Sequence, residues 1–548
     1  MSGSTRPDSG YSLLVIRPAR IQARPLSGLG ELLGISASPG GRPREASRGA
    51  GPEGRPPGTS REYAAPGITG VTLDSRQVQP GDLYAALPGE RAHGADFSRD
   101  AVARGAVAIL TDPAGRDRAA PHGVPVFVVP SPRERLGEVA CWVYGDPSTR
   151  MRLIGVTGTS GKSTSSYLAE AGLRAAGHVT GLIGGVELRV GQDRLASKLT
   201  TPEAPDLQAL FALMVERGVT GAAMEVSSHA LALGRVAGTR YDVAVFTNLS
   251  QDHLDFHPTF EDYFQAKAQL FTPRYASVGV INVADRYGRR LVAEASIPVT
   301  TFCVQSGTEG YWGADWQAHD VRSGADGSTF RVVGPGGVEA DASVSLPGAF
   351  NVANALGAIV ALVEAGVRLS DAVAGIATCP GVPGRLQRVT GSPPDAFIDY
   401  AHKPGAVEAV LRALREVTAG DLIIVLGCGG DRDRGKRPLM GAAAASLADV
   451  AVLTSDNPRS EDPVAILDEM LHGVMDVPRG ERGRVIVEPD RGAAINLAVG
   501  MAGKGDVVLV AGKGHETGQY VGESVLPFDD MAVTAEAIAR LGSPEALA

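Results

Sequence analysis

The chain has 548 residues, of which 44% are hydrophobic and 21% charged, and its formal net charge is −9. This length predicts about three or four domains. The negative charge argues against a nucleic-acid-binding protein, and no apolar run approaches the length of a membrane span. The four cysteines are widely spaced and form no CxxC pair, which argues against a zinc site or a disulfide framework and favours a reducing, cytoplasmic compartment.

The chain divides by composition into an extension and three units. Residues 1–60 are rich in Arg, Pro, Gly and Ser and predict a mostly disordered linker with a short helix over residues 25–34. Residues 61–150 predict a small α/β domain, and residues 151–378 a larger one with β-hairpins inserted over residues 312–347. Residues 379–548 alternate strand and helix. Such alternation predicts parallel, doubly wound sheets that bind ligands at the carboxyl ends of their strands.

The segment GVTGTSGKSTSS, residues 155–166, follows a short apolar run and predicts a phosphate-binding loop. A strand, a glycine-rich turn and a helix start present backbone N–H groups to phosphate oxygens. In this arrangement Lys162 would reach the outer phosphates, and the Ser163 hydroxyl would ligate Mg²⁺. Val156 stands where the generic pattern has glycine, but the variant TGTSGKS is intact. The sequence therefore predicts ATP binding.

Two polar segments follow other apolar strands of the same unit. Glu225, in MEVSSHAL, would face the nucleotide as a Mg²⁺ ligand, or would be a helix N-terminal acid beside capping serines. In TNLSQDHLDFH, residues 247–257, His253 is a candidate metal ligand, with Asp252, Asp255 and His257 as supports. Zinc is disfavoured because neither Cys nor an HExxH pattern accompanies these residues.

Several charged residues allow more than one interpretation. Lys267 lies in the helix-like run FEDYFQAKAQLF, where the pattern alone favours a solvated surface lysine. Arg385 and Asp399 would close over a nucleotide from a separate domain, or only form a strand-end turn. The basic residues within 432–437 suit a carboxylate or phosphate, or only solvent. The segment SDNPRSEDP, residues 455–463, contains an arginine and an aspartate on one turn. Because arginine binds carboxylates and aspartate accepts from ammonium groups, this turn predicts recognition of an amino acid.

The motifs TGTSGKS, EVSSHAL, NLSQDHLDFH, GRLQ, DYAHKP, DNPR and GKGHE together resemble those of the Mur ligases of peptidoglycan synthesis. The resemblance implies an α/β fold of three domains: a small N-terminal α/β domain for a UDP-sugar, a central P-loop-type parallel-sheet ATPase domain, and a C-terminal Rossmann-like domain for an amino acid. It implies ATP-dependent ligation of 2,6-diaminopimelate to the D-glutamate γ-carboxylate of UDP-MurNAc-L-Ala-D-Glu through an acyl phosphate, with Mg²⁺ as cofactor. We expect a cytoplasmic monomer, without nucleic-acid or membrane partners, that serves cell-wall biogenesis, cell shape and cell division.

The resemblance also implies site residues, position by position. The ATP site would comprise Gly158, Thr159, Ser160, Gly161, Lys162, Ser163, Thr164, Asn351, Arg385 and Asp399. The UDP-MurNAc-dipeptide would contact Leu73, Ser75, Glu90, Arg91, Ala92, Thr200, Thr201, Ser227 and Arg235. Diaminopimelate would contact Arg432, Asp456, Asn457, Pro458, Arg459, Gly512 and Glu516. The catalytic residues would be Lys162, Glu225, His253 and Lys267, the last as an N6-carboxylysine, and Ser163, Glu225, His253 and Lys267 would serve the metal.

The DNPR turn bears on which amino acid is added. It is the form associated with diaminopimelate, and the Arg459 cation would repel the side-chain ammonium of lysine while binding a distal carboxylate.

Two other functions stay open on the residues alone. A folylpolyglutamate-synthase-type ligase uses the same chemistry on a pteridine substrate, but the DNPR turn and the additional N-terminal domain with its TLDSR motif argue against it. A non-catalytic nucleotide-binding regulator would not require Lys162, Glu225, His253 and Lys267 together. ATP hydrolysis without ligation would favour the regulator.

Overall fold

The computed structural model describes residues 17–35, 67–89, 91–305, 313–391 and 394–541. Residues 1–16 and 36–60 of the predicted linker and the candidate site residue Glu90 lie outside these ranges. The short helix predicted near the N-terminus is confirmed as α1 (Leu26–Leu33), which ends at Gly34 with a φ of 68°. In the described part of the chain, no helix has the length and apolar character needed to cross a membrane.

The N-terminal unit is built on a parallel four-stranded sheet in the order β1-β2-β3-β4. Its strands are β1 (Gly70–Thr72), β2 (Asp82–Ala86), β3 (Ala108–Thr111) and β4 (Val126–Val128), and its helices α2 (Ser98–Ala103), α3 (Arg116–Ala119) and α4 (Pro132–Tyr144). Helix α4 was not among the predicted elements, although Leu136, Val139, Ala140 and Val143 have helical spacing and are buried.

The central unit contains an eleven-stranded sheet in the order β15-β14-β13-β12-β11-β10-β5-β9-β6-β7-β8. Its strands are β5 (Arg152–Thr157), β6 (Thr180–Ile183), β7 (Leu188–Val190), β8 (Asp193–Leu195), β9 (Gly221–Glu225), β10 (Tyr241–Phe246), β11 (Ala276–Asn282), β12 (Val299–Val304), β13 (Trp316–Gly324), β14 (Gly327–Val333) and β15 (Glu339–Val344). Its helices are α5 (Lys162–Ala175), α6 (Ala204–Glu216), α7 (Ser228–Ala232), α8 (Phe260–Ala268), α9 (Arg286–Glu294), α10 (Ala349–Glu364) and α11 (Leu369–Ala377).

The middle of this sheet places the candidate site. Strand β5 lies between β9 and β10, and all three are parallel and almost entirely buried. Because parallel strands end at the same sheet edge, the segments that follow them meet there: the glycine-rich loop, Glu225 and residues 247–257.

The predicted hairpins over residues 312–347 need a correction. Antiparallel strands β13, β14 and β15 are present, but they are not a separate insertion, because β13 pairs in parallel with β12 and continues the central sheet. One face of these strands buries Trp316, Phe330 and Val344 in the same core as α10. The apolar residues alternate with polar ones, as a sheet with one buried face requires.

The C-terminal unit contains a six-stranded sheet in the order β16-β17-β21-β18-β19-β20, parallel except for β16. Its strands are β16 (Gln387–Val389), β17 (Asp395–Asp399), β18 (Leu422–Cys428), β19 (Val450–Ser455), β20 (Arg484–Val487) and β21 (Val507–Ala511), followed by the hairpin β22 (Gly518–Val521) and β23 (Ser524–Pro527). Its helices are α12 (Pro404–Arg415), α13 (Lys436–Leu447), α14 (Pro463–Asp476), α15 (Arg491–Met501) and α16 (Asp530–Leu541). We propose domain limits near residues 150 and 378, between the three sheets.

Candidate active site

A glycine-rich loop joins β5 to α5 and forms the floor of the site. Gly158 and Gly161 have φ angles of 151° and 87°. A side chain at Gly158 would overlap the Thr247 hydroxyl, and one at Gly161 would overlap the Asn354 amide. Both positions therefore require glycine for backbone conformation and for space.

Two residues at the end of β10 hold this loop. The Thr247 hydroxyl donates to the Ser160 carbonyl at 2.6 Å, and the Asn248 side chain both accepts from Ser160 N (3.0 Å) and donates to its carbonyl (3.1 Å). Sequence reasoning assigned no role to Thr247, Asn248 or Asn354. Thr247 and Asn248 directly follow β10, a strand adjacent to β5, and Asn354 lies in the first turns of α10. These positions are the signal that could have identified them.

Two lysines converge on one oxygen of the loop. Nζ of Lys162 and Nζ of Lys267 donate to the Gly158 carbonyl at 2.9 and 2.8 Å. Burial lowers the pKa of Lys162 to about 8. Burial, and then the charge of Lys162, lower the pKa of Lys267 well below its ordinary value. Lys267 is 1% exposed, so its interpretation as a surface lysine is wrong. Its lowered pKa favours the neutral amine more than the pKa of an exposed lysine would.

Glu225 ends β9 with its carboxylate beside the loop, rather than starting a helix. Its Oε1 accepts from the Ser163 hydroxyl at 3.0 Å and from Gly185 N at 2.9 Å. No described donor engages its other oxygen, so the pair of a hydroxyl and a carboxylate fits Mg²⁺, which binds few protein oxygens and completes its shell with phosphates and water. Among the described residues, no three His, Cys, Asp or Glu side chains form a metal-binding group by themselves.

His253 lies in the loop after β10 and has a φ of 53°. Its Nε2 is 2.9 Å from Oδ2 of Asp252, which also pairs with Lys403 of the C-terminal unit. Burial opposes ionisation of Asp252, but the hydrogen bonds from His253 and Lys403 lower its pKa below the ordinary value. Of the other predicted supports, the His257 ring hydrogen-bonds Ser228 at 3.0 Å, and Asp255 is exposed.

The C-terminal unit brings Arg385 and Lys403 close enough to the loop for their charges to act on Lys162. Asp399 is buried and accepts from Leu386 N and Ala401 N, each at 2.7 Å, and burial raises its pKa while Arg385 opposes that rise. The Arg385 guanidinium lies 4.6 Å from the centre of the Tyr400 ring.

Asn351, at the start of α10 in the central unit, donates to the Pro347 carbonyl at 2.9 Å and contacts Asn354. It therefore supports the loop through Asn354, which borders Gly161.

The predicted dipeptide residues form a connected turn next to Glu225. The Thr201 hydroxyl donates to the Glu225 carbonyl at 2.9 Å and accepts from Ser227 N at 3.1 Å. Ser227 also caps α7. Arg235 pairs with Glu203 at 2.8 Å, and Thr200 borders Gly185.

The predicted UDP residues lie at the ends of two neighbouring strands of the N-terminal sheet. Ser75 is buried and Leu73 half-buried after β1, whereas Arg91 and Ala92 are exposed after β2. Because β1 and β2 are parallel, these segments share one sheet edge.

The predicted amino-acid residues gather at the ends of β18, β19 and β21. Asp456 and Asn457 are buried, Gly512 lies against the Asp456 carboxylate, and Asn457 donates to Glu516 Oε2 at 2.9 Å. Burial raises the pKa of Asp456, while Arg491 and Lys513 oppose that rise. Lys513, the lysine of the GKGHE motif, contacts both Asn457 and Glu516 and was not among the predicted site residues.

Two arginines flank Gly429 at the same sheet edge. A side chain there would contact Nη1 of Arg459 and Cγ of Arg432. Arg459 donates to the Gly430 carbonyl at 2.6 Å, and within the described ranges neither arginine has a carboxylate partner. Arg459 has a φ of 52°, and its backbone N–H and carbonyl are hydrogen-bonded to Tyr520 and Gly522.

The other basic residues of the 432–437 cluster have structural partners. Arg437 is fully buried and pairs with Glu461 and Glu469 at 2.7 and 2.9 Å, and Arg434 pairs with Glu469. Lys436 donates to the His402 carbonyl. Arg437 is therefore a structural ion-pair residue rather than a solvated charge, whereas Arg434 is exposed, as the solvated-charge alternative expected.

Together, the fold and the site define a nucleotide-dependent enzyme of three α/β units, with the phosphate loop of the central unit near the C-terminal unit. Sequence models described as "Mur ligase family, catalytic domain", "Mur ligase middle domain" and "Mur ligase, glutamate ligase domain" match residues 67–144, 156–362 and 384–514. The UDP-N-acetylmuramoyl-L-alanyl-D-glutamate–2,6-diaminopimelate ligase of Streptomyces coelicolor is 56% identical over 525 residues, covering 96% of this chain and 98% of that protein. The chain belongs to the Mur ligase family.

Solved structures agree with this assignment. A structure of a UDP-N-acetylmuramoyl-L-alanyl-D-glutamate–2,6-diaminopimelate ligase superposes with a TM-score of 0.64 at 33% identity, covering 89% of this chain and 98% of that one. Folylpolyglutamate synthase of Mycobacterium tuberculosis gives a TM-score of 0.53 at 20% identity, covering 74% of this chain and 94% of that one, a likeness of fold alone.

Proposed function

We propose that this chain ligates 2,6-diaminopimelate to UDP-MurNAc-L-Ala-D-Glu at the expense of ATP, as a cytoplasmic monomer in peptidoglycan precursor synthesis. The observation that carries the proposal is the meeting of two charge types at one sheet edge: Arg432 and Arg459 flank Gly429 after β18, and buried Asp456 and half-buried Glu516 follow β19 and β21. Arginines suit a carboxylate, and the acids suit an ammonium, as the distal end of diaminopimelate would require. The product would serve cell-wall biogenesis, and through it cell shape and division.

In the first step, the γ-carboxylate of D-glutamate would attack the γ-phosphate of ATP, forming an acyl phosphate and releasing ADP. Lys162 would exchange its contact with the Gly158 carbonyl for the outer phosphates, and backbone N–H groups of residues 158–164 would cradle them. Phosphoryl transfer needs chiefly positioning and charge neutralisation, which these groups supply.

In the second step, an amine of diaminopimelate would attack the acyl carbon. The C–N bond forms, the C–O bond to phosphate breaks, and the amine gives up its proton as phosphate leaves. The ion pair of Asp252 with Lys403 joins the central and C-terminal units over the site, which would limit the access of water to the acyl phosphate.

Ser163, Glu225, His253 and a carbamylated Lys267 would hold Mg²⁺. When bound, the metal supplies neutralisation of the phosphate charge. Glu225 supports this assignment with one oxygen free of described donors beside the Ser163 hydroxyl.

The decisive experiment measures ADP release by the purified protein with ATP, Mg²⁺ and UDP-MurNAc-L-Ala-D-Glu, offered diaminopimelate, lysine or no amino acid. We expect ADP and a tripeptide product only with diaminopimelate. Equal turnover with lysine would contradict the assigned amino acid. ADP release without any ligated product would favour the regulator, and ligation of glutamate to a folate would favour the folylpolyglutamate-type ligase.

Arg459 should decide which amino acid is accepted. In an Arg459→Ala variant we expect the KM for diaminopimelate to rise by about 10²-fold, because a charge-assisted contact with the distal carboxylate is lost. The KM for ATP should stay within about twofold, since the guanidinium faces Gly430 rather than the phosphate loop. Steady-state kinetics with each substrate varied in turn make the comparison, and Arg479→Ala serves as a control in an exposed loop of the same unit. Equal increases in both KM values would contradict the assigned role.

A further inference from the structure

Lys513 is a fully buried ammonium group in the first turn after β21. Its side chain is 0% exposed, and its Nζ donates to the Gly518 carbonyl at 2.6 Å, to Asn457 Oδ1 at 3.0 Å and to Glu516 Oε2 at 3.3 Å. The nearest oxygen of Asp456 is 3.9 Å away. Burial of an ammonium is costly unless it is paired, so this lysine and its carboxylates depend on each other.

These contacts decide which oxygens face a ligand. Because Asn457 Oδ1 accepts from Lys513 and from Tyr520 N (3.0 Å), its Nδ2 must point the other way, where it donates to Glu516 Oε2 at 2.9 Å. Glu516 Oε2 is thus occupied twice, while Oε1 has only a long contact of 3.4 Å with the Tyr400 hydroxyl. Oδ1 of Asp456 is buried and accepts no hydrogen bond from the described residues. Two carboxylate oxygens therefore keep the capacity to accept.

The described carboxylates around Lys513 outnumber the cations that pair with them. Arg491 and Asp530 pair with each other at 2.7 Å, and both are fully buried. Lys513 is then the single cation shared by Asp456 and Glu516 within 4 Å in the described structure. Two carboxylates therefore share one described cation, which favours a cationic ligand.

We propose that Lys513 is a positioning residue for amino-acid recognition: it orients the Asp456 and Glu516 carboxylates so that their free oxygens accept the ammonium of the incoming amino acid. The inference rests on the proposed function, because it needs an amino-acid substrate in this site. Lys513 itself does not touch the substrate.

The test compares Lys513→Met and Lys513→Arg with wild type, and uses Lys504→Met as a matched control, because Lys504 is exposed in the loop before β21. For Lys513→Met we expect the KM for diaminopimelate to rise by about 10- to 100-fold while the KM for ATP changes less than about twofold. Lys513→Arg keeps the charge and should recover part of the loss. The control should behave as wild type in each assay.

The pH profile separates orientation and charge from a purely structural role. Asp456 is faced by Arg491, Lys513, Glu516 and Asp530. Loss of the Lys513 cation should raise the pKa of Asp456 further, so the acid limb of kcat/KM for diaminopimelate should move to higher pH in Lys513→Met. A purely structural role would lower the melting temperature and leave that limb in place, which would overturn the proposal.

A second variant covers the case in which Lys513→Met folds poorly. Lys513→Met combined with Glu516→Gln restores the wild-type net charge of the cluster, so it should melt at a higher temperature than Lys513→Met alone. If the changes in melting temperature caused by Lys513→Met and by Glu516→Gln simply added in the double variant, the shared ion pair would be contradicted. The outcomes stay distinguishable, because absence of ligation by wild type refutes the proposed function, whereas wild-type ligation with unchanged Lys513 kinetics refutes only this inference.

Discussion

Lys162→Met is expected to fold normally and to ligate about 10³-fold more slowly, because the γ-phosphate loses the cation that offsets its charge during transfer. The variant should keep the loop conformation, which Thr247 and Asn248 hold independently of the lysine. Single-turnover formation of ADP gives the rate directly. A variant with more than about one tenth of wild-type activity would contradict the assigned role of Lys162.

The same lysine predicts a pH dependence of nucleotide binding. Its pKa of about 8 means that the free enzyme loses the ammonium charge above that pH, whereas bound phosphates favour the charged form. The affinity for a non-hydrolysable ATP analogue should therefore fall as the pH rises from about 7 to about 9. Calorimetric titration should show this fall in wild type and in Lys504→Met, and a flatter profile in Lys162→Met. A fall of equal size in Lys162→Met would assign the titration to another group.

Lys267→Ala is expected to lose activity by about 10²- to 10³-fold. Burial lowers the pKa of Lys267 and so favours its neutral amine, and a neutral amine adds to CO₂ and releases a proton to give a carbamate anion. Intact-protein mass spectrometry at mild pH should detect the mass of one CO₂ on wild type and none on the variant. Added acetate should restore part of the activity of Lys267→Ala, because a small carboxylate can occupy the vacated space.

Lys267→Arg is the informative control for this prediction. It places a permanent cation near the Tyr263 ring, where Nζ of Lys267 lies 4.7 Å from the ring centre, but it cannot form the carbamate. We expect it to be as impaired as Lys267→Ala. Full activity of Lys267→Arg would show that a cation is required, and would refute the carbamate.

Much of the fold could be predicted because its signals are local. The order of apolar strand, glycine turn and helix start places the loop of residues 158–164, and Gly158 and Gly161 have the positive φ angles that such a turn needs. Strand ends could be predicted in the same way, so Glu225, Asp456 and Gly512 lie at the expected sheet edges. Helix α4 was not predicted, although its buried apolar residues have a regular helical spacing that the sequence shows.

The chemical state of the site depended on contacts between distant parts of the chain. Lys267 belongs to a helix whose pattern suggests an exposed charge, yet it is buried against the carbonyl of Gly158, 109 positions away. Lys513 and Asn457 are 56 positions apart, and the pairing of Lys403 with Asp252 spans two units. The sequence by itself determined the order of elements and the edges where polar residues collect, because backbone conformation and amphipathic period act over a few residues. Burial and charge pairing decide which of those residues are neutral, paired or free to bind, and only the tertiary structure brings the partners together.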